Sequence, residues 1–215
     1  MGFMEVIALC SALHKAPNIK DIKRPSVTKQ ECVVARNSYQ EALSNLTISD
    51  TDKDALKRII YAEAANQGDI GQAFVLFTIL NRVIHKDFHN KVQQVINAKN
   101  QFEPATKANG WINLRKPPTQ SAAKLDTMIN LALQGVIPDP TGGALYFQNV
   151  DIVAAREKAG EVSKGLTNFY GSTPTTTVKD HTFYSSLNTT RKNAESVDEW
   201  DAFNPKANSI TWDAF

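Results

Sequence analysis

Glu63 stands where an apolar residue is expected. It belongs to the stretch Arg58-Ile-Ile-Tyr-Ala-Glu63-Ala-Ala-Asn-Gln-Gly68-Asp69. Read as a helix, this segment and the residues before it put Leu56, Ile59 and Ile60 on one face. Glu63 lies four residues after Ile59 and three after Ile60, on the same stripe. A carboxyl group on a buried stripe loses hydration, which disfavours its ionised form and raises its pKa. Such a group can hold a proton near neutral pH and deliver it as a general acid. The competing reading is a structural Glu, at the edge of the stripe or buried against an Arg.

Other chemistry is less well supplied. His85 and His89 have the i, i+4 spacing of zinc-binding helices. Lys86 occupies the place of the water-activating Glu and would repel a cation, so a solvated helix end is expected. No metal or other cofactor is expected. A G-x-S-x-G elbow, a G-x-x-x-x-G-K-[ST] loop and a G-x-G-x-x-G turn are all missing from the sequence. The two cysteines, Cys10 and Cys32, cannot build a disulfide framework or a four-ligand zinc site. Both fall outside the expected core, and the sequence gives no support for a bridge between them. Arg82 is expected in a core salt bridge rather than in catalysis.

The elements that must position Glu63 follow from periodicity and punctuation. Residues 16–27 carry two prolines and read as a linker. A helix is predicted from Thr28 to about Leu46, anchored by Val33, Tyr39, Ala42, Leu43 and Leu46. The helix bearing Glu63 should start at Thr51, with Asp54 completing a capping box. Asn66-Gln-Gly68-Asp69 should end it. The next segment, 71–84, is apolar almost all round and belongs in a core. Another helix is expected from Ser121 to Leu133. Pro138-Asp-Pro-Thr-Gly-Gly143 is a loop signal, followed by a strand over 144–148. A Thr-rich loop (173–177) then precedes a last strand, 181–184. Helices outnumber strands and the strands come late, which predicts an α+β fold with a small antiparallel sheet beside a mainly helical core.

The bulk properties suit one soluble domain. The chain has 215 residues, 42% hydrophobic and 21% charged, with a net charge of +2. That balance carries no nucleic-acid footprint. No run approaches the ~20 apolar residues of a membrane span. The N-terminus has no positive n-region, and Glu5 interrupts its apolar start, so no signal peptide is expected. Phe3, Val6, Ile7, Cys10 and Leu13 suggest a short amphipathic helix instead.

Five motifs occur in order: "RIIYAEA" (58–64), "GQAFVLFTILNRV" (71–83), "QF" (101–102), "DPTGGALYFQN" (139–149) and "HTFY" (181–184). Together they resemble the cell-wall hydrolase family typified by the SleB spore-cortex lytic enzymes. The resemblance implies a lysozyme-like fold and cleavage of the glycan strands of peptidoglycan. It further implies a lytic transglycosylase in which Glu63 is both acid and base. Family members usually carry a second acid where this chain has Gln67, which leaves Asp69 as a possible second acid if the enzyme hydrolyses. The resemblance places Gln101, Tyr146, Asn149 and His181 at the substrate cleft. Gly142 and Gly143 would allow close backbone approach to the glycan. A muramidase, or a non-catalytic wall-binding or virion structural protein, is the alternative.

The expected organisation is an N-terminal helical extension (1–50), a catalytic domain (51–190) and a tail (191–215). Without a signal peptide, a phage endolysin or virion lysin is the expected setting, in the host cytoplasm or virion and acting on the wall. In the tail, Trp200-Asp-Ala-Phe203 recurs as Trp212-Asp-Ala-Phe215. This repeat is either packed on the domain or a docking peptide for a protein partner.

Overall fold

The computed structural model describes Met4, Ile7, Cys10, residues 28–172 and residues 174–185. Both copies of the tail tetrapeptide lie outside the described residues.

Helix α1 (Lys29–Ser44) opens on a capping box between Thr28 and Glu31. Its buried face is Ala35, Tyr39 and Leu43, while Val33, expected as an anchor, is exposed. Stepping by four from Ala35 carries Tyr39 and Leu43 inward and turns Val33 to the opposite side. Helix α2 (Asp50–Ala64) starts two residues earlier than expected. Ser49, not Thr51, caps it, and Asp52 closes the box. Asp54 instead pairs with Arg58, one turn along. Arg58 also donates to the carbonyls of Ile112 and Leu114, and so ties the 3-10 turn Trp111–Asn113 to α2.

The chain breaks after Ala64, and α3 (Gly68–Ile84) begins at a glycine with φ +70°. As its composition requires, α3 is buried on nearly every side and forms the centre of the core. It ends at Ile84, so His85 and His89 do not share a helix face. Two short helices follow, α4 (Val92–Asn97) and α5 (Glu103–Lys107), then α6 (Thr119–Leu133). Helices α4, α5 and α6 all pack against α2.

The sheet is antiparallel, in the order β1 (Tyr146–Asn149), β3 (His181–Tyr184), β2 (Pro174–Val178). The Thr-rich segment expected as a loop is therefore largely a strand. Its β-branched residues pair with β3 in a hairpin that turns at Lys179 and Asp180. Helix α7 (Val150–Lys158) follows β1 directly. The fold is the expected α+β, lysozyme-like arrangement of a mainly helical core and a small antiparallel sheet. The core also includes α1, through Tyr39 and Leu43.

Cys10 and Cys32 are joined in a disulfide, with 5.8 Å between their Cα atoms. This corrects the expectation that both stand apart from the core, because Cys10 is buried with Met4 and Ile7. The i, i+3 spacing of those three residues gives the N-terminal segment a buried face.

Candidate active site

Glu63 sits in the last turn of α2, a helix that packs against α3 and α5. The stripe of Leu56, Ile59 and Ile60 carries it inward, and the residue is only 2% exposed. Neither carboxyl oxygen has a hydrogen-bond partner. Burial pushes the Glu63 carboxyl well above the usual carboxylate range; the negative charge of Glu103 adds to this, and the positive charge of Arg82 opposes it. Burial thus favours the protonated form of this carboxyl.

Arg82 is placed by α3, and its surroundings differ from the expected salt bridge. Its Nε donates to the Leu145 carbonyl at 2.6 Å. Its guanidinium faces the rings of Phe102, Phe88 and Tyr146 at 5.0, 5.4 and 5.8 Å. Nη1 is buried without a hydrogen-bond partner. Burial lowers the guanidinium pKa to about 10, with Tyr146 and Glu63 opposing, so Arg82 stays charged at neutral pH. The charge is thus held by a carbonyl and π faces, and it still acts on Glu63 from a distance.

Glu103 is the functional candidate that sequence reasoning missed. It opens α5 directly after Gln101-Phe102 and is 7% exposed. It forms an ion pair with Lys107, one turn on, whose side chain is largely in solvent. Phe102 anchors this corner as expected, fully buried against Arg82 and Phe147. The available signal was an acid between an apolar anchor and Pro104. A helix of five residues is too short for periodicity to reveal which side is buried.

The other expected residues divide into groups. Tyr146 is buried and reaches Glu63's surroundings through Arg82. His181 is buried on β3, edge-on to Phe147 and Phe183. Gln101 is half-buried in the turn before α5. Asn149 caps α7, accepting from the amides of Asp151 and Ile152. Gly142 and Gly143 both have positive φ, in a loop folded around the Asp139 carboxylate. A Cβ on Gly143 would meet Ile7 at 3.3 Å, so this glycine faces the N-terminal segment. Asp69 is 57% exposed and paired with Lys124 at 2.5 Å.

Gln67 is buried at the α2–α3 break with its side-chain oxygen unpaired. It lies over Gly71, where an added Cβ would come within 2.3 Å of the Gln67 Cβ. The tip of the β2–β3 hairpin rests on the same break, with Lys179 Nζ 3.4 Å from the Asn66 carbonyl. Lys179 thus links the hairpin to the break that follows the last turn of α2.

Residues 66–184, more than half of the chain, match the family described as Cell Wall Hydrolase. The chain belongs to the cell wall hydrolase family. Its match begins just past Glu63 and takes in Gln67, Arg82, Glu103 and the whole sheet. The chain is 35% identical over 111 residues to a spore cortex-lytic enzyme of Bacillus cereus, covering 50% of this chain and 38% of that protein. It is 36% identical over 106 residues to a spore cortex-lytic enzyme of Halalkalibacterium halodurans, covering 48% and 28%. This family member thus spans well under half the length of the curated relatives it matches. No solved structure matches it.

Proposed function

We propose that this chain cleaves the glycan strand of peptidoglycan as a lytic transglycosylase, with Glu63 as both acid and base. One observation carries the reading: the Glu63 carboxyl is buried, favours its protonated form and has no hydrogen-bond partner on either oxygen. A buried polar group without a partner is rare where the role is only structural. Membership of the cell wall hydrolase family supports the substrate class.

In the proposed reaction, Glu63 gives its proton to the glycosidic oxygen as the bond from that oxygen to C1 breaks. The Glu63 carboxylate then takes the proton of the sugar's own 6-hydroxyl, whose oxygen attacks C1. The product is a 1,6-anhydro end, and Glu63 recovers its proton. The attacking hydroxyl belongs to the same sugar, so its proximity supplies a large effective concentration and no carboxylate is needed to activate water.

The buried Glu103 favours a second reading, a muramidase, because hydrolysis normally employs two carboxylates. Mass spectrometry of fragments from purified sacculi separates the two. The transglycosylase releases fragments about 18 Da lighter than hydrolysis would, the mass of the withheld water. Reducible muramic acid ends as the main product would overturn the proposal. Retained turbidity of permeabilised cells, with the protein folded, would favour a non-catalytic wall-binding or virion role.

For location, we propose action on the wall outside a reducing cytoplasm. The Cys10–Cys32 bridge supports this, since such bonds persist in oxidising surroundings. A virion lysin and a bacterial wall-remodelling enzyme both fit.

A further inference from the structure

We propose that Cys10 and Cys32 form a redox switch: bridged, they strap the N-terminal segment onto the 139–145 loop, and reduced, they release it and loosen the support of Arg82. The loop lies between two holders, and the bridge joins them.

The first holder is the core. Asn81 donates to the Ala144 carbonyl at 3.0 Å, and Tyr39 of α1 donates to Asn81 at 2.7 Å. The next carbonyl, that of Leu145, accepts from Arg82 Nε. Within the loop, the Asp139 carboxylate accepts from the amides of Thr141 and Gly143. The second holder is the N-terminal segment. A Cβ on Gly143 would meet Ile7 Cγ2 at 3.3 Å, and Met4 Cε and the Met4 carbonyl oxygen at 3.7 Å. Gly143 has φ +78°, so bare backbone faces the segment there. Met4 and Ile7 share one helical face with Cys10.

The bridge ties that face to α1. Cys32 stands three residues before Ala35 and seven before Tyr39, in line with the buried stripe of α1. The same helix thus carries the bridge near its start and reaches Asn81 through Tyr39. The two cysteines are 22 residues apart in the chain. Without the bridge those residues are the tether, and burial of Met4, Ile7 and Cys10 must offset the ordering of the segment unaided. With it, a short link holds the segment beside the loop at high effective concentration. Reduction therefore frees one holder and leaves the other, so the loop loosens while the core stays folded.

The chemistry is thiol–disulfide exchange. Cys10 is buried and Cys32 is half-buried, so Cys32 is the sulfur within reach of a small dithiol. The dithiol's thiolate attacks the Cys32 Sγ, the S–S bond breaks, and Cys10 leaves as a thiolate and takes a proton. The second thiol of the reagent then displaces Cys32, and the reagent ends as its own disulfide. Cytoplasmic thiols would hold the strap open, and oxidising surroundings would close it. The order of the loop thereby depends on the compartment. Its consequence for lysis rests on the proposed glycan cleavage; the strap itself does not.

The test is amide hydrogen exchange, read by NMR on the full chain with and without dithiothreitol. On reduction the amides of Thr141, Gly143 and Ala144 should exchange roughly tenfold faster or more, while those of α6 stay within about twofold. Cys10→Ser with Cys32→Ser should match the reduced chain and ignore dithiothreitol. If that variant does not fold, Ile7→Ala in the bridged chain reads the same contact, and should speed exchange at Gly143 about threefold or more. Loop exchange within about twofold of the bridged chain, or an equal acceleration throughout α2, α3 and α6, would overturn the proposal. Lysis of purified sacculi should fall about fivefold or more on reduction and recover on reoxidation, as expected when a support of the site shifts. Equal lysis in both states would overturn the switch. Lysis absent from both would count against the proposed reaction, and the loop exchange would still decide the strap.

Discussion

Asn81 and Arg82 are adjacent on α3, and each enters a buried polar cluster, yet the clusters are opposites. Asn81 accepts from the Tyr39 hydroxyl at 2.7 Å. It donates to Asp139, to Thr141 and to the Ala144 carbonyl. Asp139 in turn accepts from Thr141 and from the Gly143 amide. The Tyr39 phenol is pushed well above its ordinary range, by burial first and then by Asp139, so it remains a donor. By contrast, Arg82, Glu63 and Gln67 each keep at least one buried polar atom without a hydrogen-bond partner. A satisfied buried network fixes one structure; an unsatisfied one costs stability and leaves groups ready for a substrate. The difference separates a part of α3 whose buried polar groups are satisfied from a part whose buried polar groups are not.

The largest expected effect lies at Glu63, the proposed acid. Glu63→Gln should lower lysis of purified sacculi by ~10²-fold or more, the usual loss for an acid/base group. Circular dichroism should show the same fold. Activity within threefold of wild type would remove Glu63 from the mechanism.

The structural side should respond in stability. Asn81→Ala removes the acceptor of Tyr39 and a donor to Asp139, and should cost about 3 kcal/mol. Denaturant unfolding measures this. A loss under about 1 kcal/mol would mean that water replaces the amide without strain.

A third outcome sharpens the contrast through pH. Glu63 has a raised folded-state pKa, so its contribution is fully present below its unfolded value and is lost as pH rises through the folded one. Wild type should therefore lose stability against Glu63→Gln as pH rises from the ordinary carboxylate range through the raised folded-state value. The melting temperature of Glu63→Gln should exceed that of wild type by on the order of 2–4 °C at alkaline pH, with a smaller difference in acid. A gap that does not change with pH would mean that Glu63 titrates normally.

The smallest effects belong to the two residues that a two-acid pattern would nominate. Gln67→Glu should change lysis by less than ~10-fold, because the proposed route uses one carboxylate, Glu63, as both acid and base. A hundredfold gain would show that the natural protein lacks a needed acid. Asp69→Asn, at an exposed ion pair, should alter stability by under ~0.5 kcal/mol and lysis by less than twofold.

The sequence revealed the parts of the fold that repeat. Helices α1, α2, α3 and α6, strand β3 and the break at 65–68 could all be read from periodicity and punctuation. Glu63 could be read because three apolar neighbours define its stripe. Glu103 could not, because α5 completes barely more than one turn and offers no stripe to violate. The Cys10–Cys32 bridge was hidden for another reason: two cysteines alone say nothing about closeness in space. The Thr-rich strand read as a loop because its pairing partner comes after it. Gly142 and Gly143 read as open because their positive φ was foreseeable, whereas Ile7 resting on Gly143 was not.

The close approach of Gly71 to Gln67 bears on how this family member can diversify. The clash expected at position 71 is with the Cβ of residue 67, an atom shared by every amino acid except glycine. Exchanging Gln67 for another side chain leaves that constraint unchanged. Position 67 can therefore drift between acid and amide by single steps, while alanine at 71 is blocked until 67 itself becomes glycine or the helix break opens. A mutational library aimed at glycan preference should randomise 67 freely and hold 71 fixed.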